Sequence, residues 1–265
     1  MAGAIHVGVG GWTYEPWRDN FYPKGLAQAR ELEYAGQRLT GIEINGTYYG
    51  TQKRESWRKW AATVPDGFVF TVKASRFCTN RKVLADGAES IAKFVGQGIA
   101  ELGPKLGPIL WQFMGTKKFE PDDFARFLDL LPAEQEGVAL RHALEVRHDS
   151  FVCPAFVDLA RERGCAVVFA EHETYPMIAD LTAPFAYARL QRTSAEVPTG
   201  YDDAALDRWA GIARSWAAGE APEGLPYAGS PADGGADGRD VFLFLIAGAK
   251  ERNPAGAQAL IERLG

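Results

Sequence analysis

TGIEINGTYY, residues Thr40–Tyr49, alternates Ile42 and Ile44 with Glu43 and Asn45 before a glycine at Gly46. Side chains in a strand point alternately to opposite faces. The two isoleucines therefore share one face, and Glu43 and Asn45 share the other. The stretch reads as a buried strand carrying a carboxylate and an amide at its C-terminal end.

Working outward, seven more apolar runs look like strands: Ile5–Val9, Phe68–Lys73, Ile109–Phe113, Leu144–Arg147, Ala166–Ala170, Phe185–Leu190 and Val241–Ile246. Their β-branched and aromatic content favours strand over helix. Apolar spacing near 3.6 predicts helices between most of them, at Leu26–Arg38, Glu55–Ala62, Glu89–Glu101, Pro121–Leu131, Phe151–Arg163, Asp202–Ala217 and Pro254–Leu264. Strand then helix, eight times in about 250 residues, is the pattern of a single-domain α/β TIM (β/α)8 barrel. An open doubly wound sheet is the alternative. The first strand lacks a GxGxxG turn, and Gly8, Gly10 and Gly11 lead into Trp12 instead.

In a closed barrel the bulky side chains face the helices and the alternate positions face inward. That rule puts His6, Gly8 and Gly10 inside, with the two glycines making room at the centre. It also puts Glu43, Asn45, Thr71, Lys73, Leu110, Gln112, Glu145, Arg147, Tyr187, Arg189 and Gln191 on inward faces. The polar ones mostly come last on their strands, at the C-terminal face where barrel active sites lie. Two carboxylates against one lysine and two arginines leave that set cationic. Buried charges cost several kcal/mol each unless paired, so an internal ion-pair network that only fixes strand register is the alternative. Trp12, Tyr14, Trp17, Tyr48 and Tyr49 follow the first two strands and suggest aromatic walls above a polar floor; Trp17 reads better as core.

Composition bounds the partners. The 265 residues are 46% hydrophobic and 24% charged, with a net charge of −5. That charge argues against extended nucleic-acid binding, although Lys53, Arg76, Arg81 and Lys82 could form a local basic rim. The longest apolar run, Val241–Ala249, falls far short of the ~20 residues that span a bilayer. Cys78, Cys153 and Cys165 lack metal-site spacing and cannot all pair. The run from Met1 straight into the first strand leads us to expect no targeting segment, and with it a cytoplasmic protein. Gly219–Arg239, rich in Gly, Pro, Ala and Asp, lacks a core-forming face and is expected to be a flexible solvated loop. Tyr227 is its one candidate ligand contact.

GGWTYEPW, FYP at Phe21–Pro23, TGIEINGTYYG, FVFTVKASRFCT, LGPILWQF, LEVRH and YARL together resemble the YecE-like proteins, a family known as domain of unknown function 72. The resemblance runs from Val7 to about Leu260. It implies a TIM barrel and no established reaction. Glu43, Asn45, Lys73, Gln112, Glu145, Arg147 and Arg189 match the family pattern. Three places depart from it. Met114–Gly115 stands where a proline pair is common. Gln191-Arg192 follows Leu190 where the family has His-Gly. Leu245–Ile246 follows Phe244 where it has two asparagines.

Several chemistries fit these residues. Glu43 and Glu145 could serve as a glycosidase-type pair, although neighbouring cations would keep both ionised. Glu43, Glu145, His148, Glu171 and His172 could hold a metal, but Lys73 and Arg147 would repel it. Lys73 could form a Schiff base, with the arginines and the glutamates pushing its pKa in opposite directions. Cys78 lacks an evident base. We take Glu43, Lys73 and Glu145 as candidate catalytic groups. Trp12, Tyr14, Asn45, Tyr48, Gln112, Arg147, Arg189 and Gln191 are the candidate ligand-binding groups. The expected partner is a small phosphorylated or carboxylated ligand, gripped by Arg147 and Arg189 with Lys73 as a third contact. No cofactor and no metal is expected. A hydrolase or lyase is the nominal reaction class, a non-catalytic binding protein the main rival, and a metal-dependent phosphoesterase or nucleic-acid-processing barrel the third reading. Oligomeric state is not assigned by the sequence.

Overall fold

The computed structural model describes residues 2–230 and 238–265. Eight parallel strands close into a barrel in the order β1-β10-β9-β8-β7-β4-β3-β2. They are β1 (Ile5–Gly10), β2 (Gly41–Ile44), β3 (Val69–Lys73), β4 (Leu106–Gln112), β7 (His142–Glu145), β8 (Ala166–Glu171), β9 (Phe185–Leu190) and β10 (Asp240–Leu245). The helices that pack outside include α2 (Arg54–Thr63), α4 (Ala88–Val95), α5 (Pro121–Asp129), α6 (Pro154–Glu162), α7 (Asp203–Ala217) and α8 (Asn253–Leu264). No helix among the described residues is long and apolar enough to cross a membrane.

Two helices are shorter than their periodicity suggests. The first is Glu31–Gly36, led in by a 3-10 turn at Gln28–Arg30. The fourth stops at Val95, because Gly96 caps it and Gly98 follows at φ 110. That φ disfavours any L side chain, and a Cβ there would also sit 2.7 Å from Arg54 Cγ. The sequence reading also passed over a hairpin between β4 and β7, in which β5 (Glu134–Gln135) pairs with β6 (Val138–Ala139). Its two-residue turn puts Glu136 at φ 52 and Gly137 at φ 78, the left-handed pair of a type I′ turn.

The core has two parts. One lies between barrel and helices, where Trp111, Phe113, Phe124, Phe127, Phe151 and Phe156 pack edge to face. The other fills the barrel: Val69, Leu110, Ala143, Val168, Phe185, Tyr187, Phe242 and Phe244. Gly8 has a different reason from the one its position suggested. A Cβ there would lie 1.8 Å from the Gly41 carbonyl oxygen, so glycine lets β1 and β2 approach rather than opening the centre. The space at Gly10 is taken by Ile246 and Asn45, which a Cβ would meet at 2.9 and 3.0 Å.

The Gly219–Arg239 segment is described only in part, and residues 231–237 lie outside the described residues. In its first half the Ala228 and Gly229 N–H groups donate to the Asp180 carboxylate at 2.7 and 3.0 Å. Tyr227 turns back on its own loop and donates to the Pro222 carbonyl.

Candidate functional site

The polar ends of β2, β3, β4, β7 and β9 meet at the C-terminal mouth of the barrel. Register sets this up. Glu43 lies beside Gly10 and Thr71, Lys73 beside Leu110, and Gln112 beside Glu145. Arg189 sits between Ala170 and Phe244, and the small Ala170 leaves its guanidinium room to cross the interior.

Arg189 ties two walls together. Its Nε and Nη2 donate to Glu43 at 3.1 and 2.9 Å, and its Nη1 donates to Glu145 at 2.5 Å. Glu43 and Glu145 are fully buried, and Arg189 is 3% exposed. Tyr187 OH donates to Glu43 at 2.7 Å and contacts Thr71 Oγ1 at 3.0 Å. Glu145 also accepts from Gln112 Nε2 at 3.0 Å and Arg147 Nε at 2.7 Å. Each buried carboxylate oxygen is thus satisfied, which such burial requires. Burial alone would raise the Glu145 carboxyl, but Arg189 and then Arg147 outweigh it and hold the pKa at about 2. Burial pulls the Arg189 guanidinium down, and the two glutamates more than restore it.

This geometry bears on the roles of both glutamates and of Arg189. Glu145 is held ionised by Arg189 and Arg147, and both oxygens of Glu43 are taken up by Arg189 and Tyr187, so the two do not form a free acid–base pair. Arg189 commits all three of its nitrogens to carboxylates and is only 3% exposed, which leaves it poorly placed to grip an anion. Arg147 is freer. Its side chain is 21% exposed, its Nη1 has no protein acceptor among the described residues, and its guanidinium lies 4.6 Å over the Tyr175 ring.

Lys73 differs from all of these. Its Nζ makes no hydrogen bond to the protein among the described residues, and it rests 4.3 Å over the Tyr48 ring. Tyr48 is fixed in turn by Asn80 Nδ2, which donates to its OH at 3.0 Å. Burial, and then the nearby Arg189 charge, push the Lys73 amine down to about 8, against the opposing pull of Glu43 and Glu145.

The remaining candidates scatter. Asn45 stays at the mouth, over Gly10, and its Nδ2 donates to the Glu43 carbonyl at 3.3 Å. Trp12 packs instead against Trp60 and Phe70, outside the barrel, and its carbonyl accepts from Tyr22 OH at 2.5 Å. Tyr14 packs on Trp17 and under Lys250 Nζ, at 4.1 Å from that amine. Both left the pocket because the β1 loop turns outward to build core with Trp17, Phe21 and Tyr22. Gln191 lines a separate cavity at the ends of β8, β9 and β10, together with His172 and Arg192. Among the described residues no three His, Cys, Asp or Glu side chains group as metal ligands would. Sequence reasoning passed over Tyr187 as a partner of Glu43, and Tyr175 altogether. Tyr187 was detectable, since it lies two residues before Arg189 on the same strand face.

A TIM barrel with an arginine-bridged glutamate pair, near a lysine that has no hydrogen-bond partner among the described residues, is the class that fold and site define. A family model described as protein of unknown function DUF72 matches residues 6–265, and the chain belongs to that family. The UPF0759 protein YunF of Bacillus subtilis (strain 168) is 24% identical over 159 residues, or 58% of this chain and 54% of that protein. The matched region therefore spans about half the length of that curated relative. Crystal structures of DUF72 family proteins from Enterococcus faecalis V583 and Thermotoga maritima MSB8 both superpose with TM-score 0.70. The first is 16% identical, covering 99% of this chain and 98% of that one; the second is 19% identical, covering 97% of each. SacUVDE is more distant, at TM-score 0.53 and 10% identity over 98% of each chain. These likenesses bear on the fold alone.

Proposed function

We infer that this chain is an enzyme whose working group is the Lys73 amine, acting as a nucleophile on the carbonyl of a small anionic substrate. One observation carries this reading. Of the five charged groups at the barrel mouth, only Lys73 has no hydrogen-bonding partner among the described residues. A lysine held at about 8 keeps roughly one amine in ten unprotonated at pH 7, several hundred times the fraction of an ordinary lysine. Desolvation beside another cation is a recognised way to activate a lysine.

The chemistry balances without any further reagent. The unprotonated Nζ lone pair attacks the carbonyl carbon. The former carbonyl oxygen gains two protons, both amine protons or one with one from solvent, and leaves as water. With one solvent proton taken up, the product is a protonated imine, R–NH⁺=C. That cation withdraws electrons from the adjacent bond, which is lyase-type chemistry. Arg147, whose Nη1 has no acceptor among the described residues, is the nearby group suited to hold a polar oxygen of the substrate. Glu43, Glu145 and Arg189 act as a fixed electrostatic frame rather than as proton carriers.

Borohydride trapping tests this. With pyruvate or glyoxylate present, the reduced adduct is expected on the peptide containing Lys73, and Lys73→Met should lower total labelling at least tenfold. Labelling spread over surface lysines, and unchanged in Lys73→Met, would contradict the reading.

A further inference from the structure

Beyond the lysine, a cavity of about 470 Å³ opens at the ends of β8, β9 and β10. Gln191, Arg192, Thr193 and Ser194 from the β9 loop line it, with His172 from the β8 loop and Gly248 from the β10 loop. Four observations give it a chemical character. First, Gln191 Nε2 is buried and has no acceptor among the described residues. A buried donor left unpaired is costly, and this one belongs to a residue that lines the cavity, where a ligand acceptor would relieve that cost. Second, Arg192 Nη2 donates to the His172 carbonyl at 2.8 Å. That bond steadies the guanidinium and leaves Nε and Nη1 uncommitted among the described residues.

Third, His172 Nδ1 accepts from the Thr174 N–H at 3.1 Å. In the neutral ring this places the proton on Nε2, as a further donor. Fourth, the backbone N–H groups of Thr193 and Gly248 have no protein acceptor among the described residues. Gly248 stands at φ 59, and a Cβ there would lie 2.5 Å from Thr193 Oγ1 and 2.9 Å from Thr193 N. Only glycine brings these two loops so close. The wall is thus rich in donors. Its one carboxylate, Glu173, is exposed at the rim, where water and salt screen it.

We propose that this cavity is the phosphate-binding subsite of the enzyme, holding the phosphoryl group of the substrate whose carbonyl meets Lys73. The inference rests on the lysine reading and gives its anionic substrate a chemical class, a phosphorylated carbonyl compound. A phosphate offers three oxygens to donors arriving from three loops, whereas a planar carboxylate offers two. The loops after the seventh and eighth strands are also where barrels of this kind commonly bind phosphate. The Tyr175 ring links the two halves, with His172 stacked on it at 4.2 Å and Arg147 over it at 4.6 Å. The family resemblance had set Gln191 apart as a departure. Here it is an amide donor kept at the position of a histidine, so the hydrogen-bonding capacity is retained.

The test is calorimetric titration of the protein with inorganic phosphate against a chloride control at matched ionic strength. Phosphate is expected to bind the wild type, and Lys73→Met should weaken that binding less than Arg192→Gln does. Binding should weaken at least tenfold in Arg192→Gln and in Gln191→Leu. Gln191→Leu should also raise the melting temperature of the unliganded protein, because it removes an unpaired buried donor; a merely structural glutamine would not behave so. No phosphate binding by the wild type would overturn the proposal. So would an affinity lost in Lys73→Met but kept in Arg192→Gln. Failure of borohydride trapping with phosphate binding intact would sink the lysine reading and leave the phosphate site standing.

Discussion

Arg189→Met is expected to be the most damaging single substitution at the barrel mouth. It strips three hydrogen bonds from two fully buried carboxylates at once. Leaving a buried charge without its partner costs about 3–5 kcal/mol, and here two charges are affected. Gln112 and Arg147 would still hold Glu145, and Tyr187 would still hold Glu43. The expected loss is therefore at the upper end of that range rather than double it. Urea unfolding read at the midpoint measures it. Adding Glu43→Gln and Glu145→Gln to the same protein should recover part of the loss, since no buried carboxylate is then left charged without its arginine. A loss below about 1 kcal/mol would mean that the pairs behave as solvated surface bridges, and the frame would not be rigid.

Lys73→Met should do the opposite and stabilise the protein. The Lys73 amine titrates at about 8 in the folded chain, below its ordinary 10.5. A cation whose folded pKa is depressed contributes its full stability only above the unfolded value, and that contribution is lost as pH falls through the folded one. At pH 7 the folded state therefore bears the whole penalty of burying an unpaired ammonium. At 1.36 kcal/mol per unit this is about 3 kcal/mol. Methionine fills a similar volume without the charge. Unfolding titrations should show the variant ahead by that amount at pH 7, with the gap closing between pH 8 and pH 10.5. A variant less stable than wild type at pH 7 would mean that Lys73 serves the fold. Stability given up at a working group is the usual mark of function in a scaffold that could do without it.

Much of this was legible in the chain. Period-two alternation in Gly41–Ile44, Val69–Lys73 and Phe185–Leu190 gave the strands and their inward faces, because a closed barrel leaves each position one of two environments. The convergence of Glu43, Lys73, Glu145, Arg147 and Arg189 followed from each lying at or near the end of its strand. What could not be read was the pairing. Alternation says that Arg189 points inward but not that its fork reaches both glutamates, which depends on the space beside Ala170. The β1 loop misled for a related reason. Trp12 and Tyr14 have the chemistry of pocket walls, and only the packing of Trp17, Phe21 and Trp60 shows that they are core. The hairpin at β5 and β6 was too short for any periodicity to show.

The account turns on Lys73 being an unpaired amine of lowered pKa, and its titration can be read directly. Reductive methylation with ¹³C-formaldehyde labels every lysine for NMR, and Lys73→Met identifies the resonance that belongs to this one. Lys250, which burial also lowers, serves as an internal comparison. The account predicts a Lys73 midpoint near 8, the lowest among the lysines. A Lys73 resonance that titrates above about 10, together with the surface lysines, would contradict it.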